Sequence, residues 1–304
     1  MKFSRHGLSQ NVKVSADSLF VLPPQIMVPW TIVCKRTQRP EPYLDLRDLI
    51  LFNYKLKDLT MSPSLTECAA DLQNTDIRFP AIGGTSERVF LLAISTMVAS
   101  FAPCVRAMSE AQTNVLSGDV SSLLKNIIIV ERMMQKQITL FNVISTNVSN
   151  TSNHVSPMDW AKTVAKFGSA WKENVPGISG GSAPMFHALD VFLGRASYDS
   201  TMGKEMLHLR AWFPPSWRLW LDALGKVSVG DFVAKSRNGQ LKANWHSLFQ
   251  SYAGRDGLLG VHRLKVYGFL EQAFQTGRAT SNGKLGEDET STGKEVAKES
   301  LGLW

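Results

Sequence analysis

Apolar residues recur three and four positions apart along most of this chain, and strand-like alternation is almost absent. The stretch SERVFLLAISTMVASFAPCVRAMSEAQ, Ser86 to Gln112, reads as one long apolar helix kinked near Pro103, because proline lacks the amide a helix interior needs. A Gly118-Asp119 turn follows. The next segment, Ser121 to Ile144, carries Leu124, Ile127, Met134, Ile138 and Phe141 at helical spacing.

Shorter helices come after it. SPMDWAKTVAKFGSAW offers Ser156 as N-cap, Pro157 at the first helical position and Asp159 in the first turn. SWRLWLDAL, VGDFVAKS and QLKANWHSLFQSYA continue the helical period, and the last strong helix runs from about Asp256 to Thr276. Beyond Gly277 the composition turns polar and charged, which predicts a flexible loop or tail. No internal repeat occurs. The expected fold is all-α, a single helical domain.

In that last helix, LLGVHRLKVYGF sets His262 among Leu258, Leu259, Val266 and Phe269, which share its helical face. A histidine in such a place is either a core residue bonded to a carbonyl or a ligand to something buried. The residues alone leave both readings open.

Composition narrows the class. The chain has 304 residues, of which 44% are hydrophobic, enough for a substantial core. Eight tryptophans and eleven methionines suit either a plain helical core or an interior that holds a large flat ligand. The net charge of +7 is spread along the chain without a basic run, so it argues for an anionic small ligand as readily as for nucleic acid. Cys34, Cys68 and Cys104 stand far apart in no zinc or haem-attachment spacing, and their odd number fits a reducing compartment. The N-terminal segment has no signal-peptide core, and the apolar LFVLPPQIMVPWTIVC is short and interrupted by prolines. The expectation is a soluble, cytoplasmic protein that binds neither nucleic acid nor membrane.

Three stretches hold candidate chemistry. PGISGGSAPMFHALDVFLG is a glycine-rich loop opening a helix, whose amides could hold an anion, although it is neither a Walker loop nor a dinucleotide fingerprint. His187 and Asp190 lie three apart on that helix, a weak metal pair without a third donor. HLRAWFPPSWRLWLDAL sets a Pro-Pro step between two aromatic-rich helices.

Taken in order, LPPQIMVPWTIV, SERVFLLAIS, SPMDWAKTVAKFGSAWKEN, SGGSAPMFHALDVFLG, LRAWFPPSWRLWL and His262 resemble the indoleamine 2,3-dioxygenase family. That family belongs to a haem-dependent superfamily which includes tryptophan dioxygenases and PrnB-type enzymes. The resemblance covers about Leu22 to Thr276. It implies a helical bundle of the family's large-domain type, lacking most of the N-terminal small domain. The expected division is 1–21 as an N-terminal extension, 22–277 as a haem-binding domain and 278–304 as a flexible tail. The missing cover is then dispensable, replaced by the insert around MSPSLTECAADLQ, or supplied by a homo-oligomer or a second chain.

The resemblance also implies haem b with His262 as proximal iron ligand, and O2 as co-substrate. The reaction would be insertion of both oxygen atoms across the C2–C3 bond of an indole-type aromatic substrate. PrnB-like mono-oxygenation or rearrangement, or haem and O2 binding without turnover, are the alternatives. Carried over position by position, the substrate pocket comprises Val28, Thr31, Ile32, Val89, Phe90, Ala93, Trp160, Ala165, Gly168, Gly181, Ser182 and Ala183. Several are departures. Trp160 stands for a phenylalanine, Val28 for a tyrosine, Val89 for a phenylalanine and Ala93 for a serine. Ala165 falls where the arginine that clamps the tryptophan carboxylate is expected. Losing that charge-assisted pair disfavours free tryptophan and favours an indole whose carboxylate is absent or masked.

Overall fold

The computed structural model describes residues 23–39, 45–58, 60, 73–162, 164, 180–196 and 201–275. Eleven helices carry most of these residues: α1 (Pro24–Arg36), α2 (Thr85–Ser100), α3 (Ala102–Ser117), α4 (Val120–Phe141), α5 (Pro157–Lys162), α6 (Pro184–Phe192), α7 (Thr201–Ala211), α8 (Pro215–Leu224), α9 (Val229–Lys235), α10 (Gly239–Ala253) and α11 (Leu258–Gln275). The fold is all-α, with one small exception. A two-stranded antiparallel hairpin, β1 (Tyr54–Leu56) and β2 (Thr75–Ile77), pairs Tyr54 with Ile77 and Leu56 with Thr75. Residues 61–72, which hold all but the last residue of MSPSLTECAADLQ, and the tail beyond residue 275 lie outside the described residues, as does most of TVAKFGSAW.

The long apolar segment breaks where the proline requires it. Helix α2 stops at Ser100, and α3 takes Pro103 into its first turn. The break is bridged from across the core: buried Gln137 on α4 donates to the Met97 carbonyl at 3.0 Å and to the Ser100 hydroxyl at 2.9 Å. By length and hydropathy Thr85–Ser117 could cross a membrane, but 56% of its most apolar window is buried in the protein core.

Asp119 caps α4 by accepting from the Ser122 amide at 2.9 Å, after Gly118 closes α3 in the left-handed region at φ 73°. Ser156 caps α5 in the same way, through the Asp159 amide at 3.2 Å. Helix α4 is the centre of the bundle. Its Leu123, Ile127, Val130 and Met134 are fully buried, against α3 on one side and α10 on another. Cys104 lies in this core beside Ala107, Met108 and Ala111, a free thiol that burial pushes up to about 12.

The N-terminal edge of α2 is organised by one buried carboxylate. Glu87 accepts from the amides of Ala81 at 2.8 Å, Ile82 at 3.0 Å and Gly83 at 2.5 Å, and Gly83 and Gly84 supply the positive φ this turn needs. On the opposite edge, Arg39 grips Asp48 with two bonds of 2.6 and 2.7 Å, and Arg47 pairs with Asp45. These ion pairs fix the π-helical turn Arg47–Leu51, which packs against α2.

Candidate functional site

His262 sits one turn into α11, and the helix places it as its apolar face requires: Leu258, Leu259 and Phe269 are all buried. Two rings flank the imidazole, Phe141 from the end of α4 at 5.3 Å and Phe186 from α6 at 5.7 Å. Burial drives its pKa down to about 4, so the ring is neutral at physiological pH. Lys265 anchors the same helix to the end of α4.

The glycine-rich segment comes to this histidine. Gly180–Ser182 forms a single 3-10 turn, and a methyl group on Gly180 would lie 3.6 Å from His262 Nε2. The turn closes on itself through the Ala183 amide, which donates to the Gly180 carbonyl at 2.9 Å. That amide is therefore spent inside the turn rather than offered to an anion. Behind the turn, Ser182 reaches a small cleft between Arg47, Trp212, Phe213 and Trp217.

Two turns further along α11, Phe269 meets Trp160 of α5 at 5.2 Å, and Phe90 of α2 packs on Trp160 at 5.8 Å and on Phe269 at 6.4 Å. The Trp160 Nε1–H is buried and has no hydrogen-bond partner among the described residues. An indole N–H in the interior usually has one, so this donor is an exception with a chemical meaning.

The structure therefore brings Phe90, Trp160, Gly181, Ser182 and Ala183 onto the elements that surround His262 and Phe269. Val89 and Ala93 are each 1% exposed, sunk in the core of α2. Val28, Thr31 and Ile32 lie on the exposed side of α1, with Val28 58% and Ile32 50% accessible, so they are not gathered with the others. Ala165 and Gly168 lie outside the described residues.

His187 and Asp190 do not form a metal pair. His187 bonds the Gly181 carbonyl at 2.7 Å, whereas Asp190 turns to α10, accepting from the Tyr252 hydroxyl at 3.0 Å and from Arg195 at 3.3 Å. Burial raises Asp190 to about 6 and lowers His187 to about 4. Neither contact was visible in the sequence, since three-residue spacing on a helix does not say which neighbour each side chain meets. Among the described residues no group of three or more His, Cys, Asp or Glu side chains could hold a bare metal ion.

The family model described as indoleamine 2,3-dioxygenase matches residues 6–254, from before α1 through α10, and stops short of α11 with His262. No curated protein matches the chain. With most of its length matched, the chain belongs to the indoleamine 2,3-dioxygenase family, whose members are haem-dependent dioxygenases of tryptophan and related indoles.

Proposed function

We propose that this chain is a haem b-dependent oxygenase of an indole-type substrate, with His262 as the axial ligand. One observation carries the reading. The buried His262 imidazole is neutral, flanked by Phe141 and Phe186, and its Nε2 lies beside the Gly180–Ser182 turn.

The residues present fit the group by their chemistry. Axial ligation needs an unprotonated imidazole nitrogen, and desolvation supplies it. The flat rings of Phe141 and Phe186 are apolar surface of the kind a porphyrin face packs against. When bound, haem supplies the activation of O2 and the cofactor carries the oxidation. The protein's own residues do the rest. Lys265 and Phe141 fix the orientation of α11 and thus of the imidazole. Phe90, Trp160 and Phe269 form a desolvated aromatic wall that suits a planar indole. The unpartnered Trp160 N–H is a donor suited to an acceptor on that substrate, such as an amide or ester carbonyl. We read this together with the alanine at position 165 in place of the carboxylate clamp. The preferred substrate is then an indole derivative whose carboxylate is masked, and the oxidation is dioxygenation of its C2–C3 bond.

The test is an absorption spectrum of the hemin-reconstituted protein, reduced and CO-bound, beside His262→Ala. A Soret band of imidazole-ligated haem that is lost or altered in the variant supports the proposal. Equal and poor hemin uptake by both proteins sinks it.

A further inference from the structure

The strongest unassigned feature is the bond between His187 and the glycine turn. His187 is fully buried on α6, edge-on to Phe213 at 4.7 Å, and its Nε2 is 2.7 Å from the Gly181 carbonyl. A carbonyl only accepts, so the tautomer is fixed: Nε2 carries the proton and donates, and Nδ1 is left as a bare acceptor. Among the described residues Nδ1 has no partner. Interiors keep such an unsatisfied atom when the other end of the group is needed.

Gly181 is the middle residue of the Gly180–Ser182 turn, and Gly180 is the residue whose Cβ would stand 3.6 Å from His262 Nε2. An axial bond to that nitrogen spans about 2 Å, and the ligated group needs room beyond it. The turn occupies part of that room. Helix α6 holds both ends of the arrangement, since Phe186 packs against the His262 ring and its neighbour His187 holds the turn. The helix is itself anchored, because the Tyr252 hydroxyl bonds Asp190 at 3.0 Å and the Phe186 carbonyl at 3.3 Å.

We infer that His187 is a positioning residue, which through its Nε2–H to the Gly181 carbonyl holds the glycine turn across Nε2 of His262, so that displacing the turn opens one side of this nitrogen. The inference rests on the proposed role of His262 for its consequence in cofactor loading, but not for the latch itself.

Three variants separate the bond from the bulk of the ring. His187→Gln keeps an amide donor near the Nε2 position. His187→Asn places its donor near Nδ1, out of reach of Gly181, and His187→Leu removes the donor entirely. One neutral hydrogen bond corresponds to roughly a five- to tenfold change in an opening equilibrium. Two measurements are made on the haem-free full chain. The first is the rate of diethylpyrocarbonate modification of the His262 peptide at pH 7, read by mass spectrometry. The second is the association rate of hemin by stopped flow. Leu and Asn are expected to accelerate both five- to tenfold, with Gln close to wild type. Unchanged rates in Leu and Asn, or equal acceleration in Gln, overturn the inference. If no protein takes up hemin, the haem reading fails on its own and the modification rates still decide the latch.

Discussion

Lys265 Nζ donates to the carbonyls of Phe141 at 2.9 Å and Ile144 at 2.8 Å, and lies 5.1 Å from the centre of the Phe141 ring. An ammonium group thus closes the C-terminal end of α4, where carbonyls have no helical partners and the helix dipole is negative. His262 is one turn earlier on the same helix and stacks on that same Phe141. Whatever loosens this clamp tilts the imidazole. Lys265→Ala is expected to cost about 1–2 kcal/mol in urea unfolding. It should also weaken hemin binding several-fold, with imidazole ligation retained in the spectrum.

The Tyr252–Asp190 bond joins α10 to α6 and is fully buried. Tyr252→Phe removes the donor and leaves the carboxyl and the Phe186 carbonyl short of one partner, an expected loss of about 1–2 kcal/mol. Because that hydroxyl holds the Asp190 pKa down, the variant should raise it above the wild-type value of about 6. NMR titration of the Asp190 carboxyl carbon checks the direction.

Trp160→Phe keeps the aromatic wall with Phe90 and Phe269 but deletes the unpartnered N–H. Stability should change by less than about 1 kcal/mol, because no hydrogen bond is lost. Binding of an indole bearing an amide or ester carbonyl should weaken about five- to tenfold, while unsubstituted indole binds as before. Equal weakening of both ligands would show that Trp160 supplies only surface.

Stability of the haem-free chain should rise with pH between about 4 and 6.5. His187 and His262 bind protons in the unfolded chain at an ordinary pKa of 6.5, but only near 4 when folded, so protonation favours unfolding across that window. Asp190 has the opposite sign: its folded pKa of about 6 exceeds the ordinary 3.8, so its contribution falls as pH rises between those values. His187→Gln should flatten the profile and Asp190→Asn should steepen it, as read from urea midpoints at each pH.

How far the sequence revealed this arrangement depends on the range of each interaction. The helices were legible because burial imposes a 3.6-residue period on α2, α4 and α11, and because Pro103, Asp119 and Ser156 act on their immediate neighbours. His262 stood out for the same local reason. The β-hairpin was not legible, since three-residue strands are too short to show alternation. Lys265 reads in the sequence as an ordinary helix-surface charge, and only the fold brings it to carbonyls more than a hundred residues away. The pairings of His187 with Gly181 and of Asp190 with Tyr252 were hidden likewise, because they depend on how α6 packs. Val28, Thr31 and Ile32 were assigned to a pocket by position, but their orientation follows from how α1 packs, and it turns them outward.

The burial of Cys104 has a practical consequence. A thiol held protonated up to about pH 12 inside the α3–α4 core is invisible to alkylating reagents while the protein is folded. Its modification at pH 8 must therefore wait for that helix pair to part. The labelling rate of the peptide containing Cys104 is then a stopwatch built into the chain, timing the opening of its centre without any introduced probe.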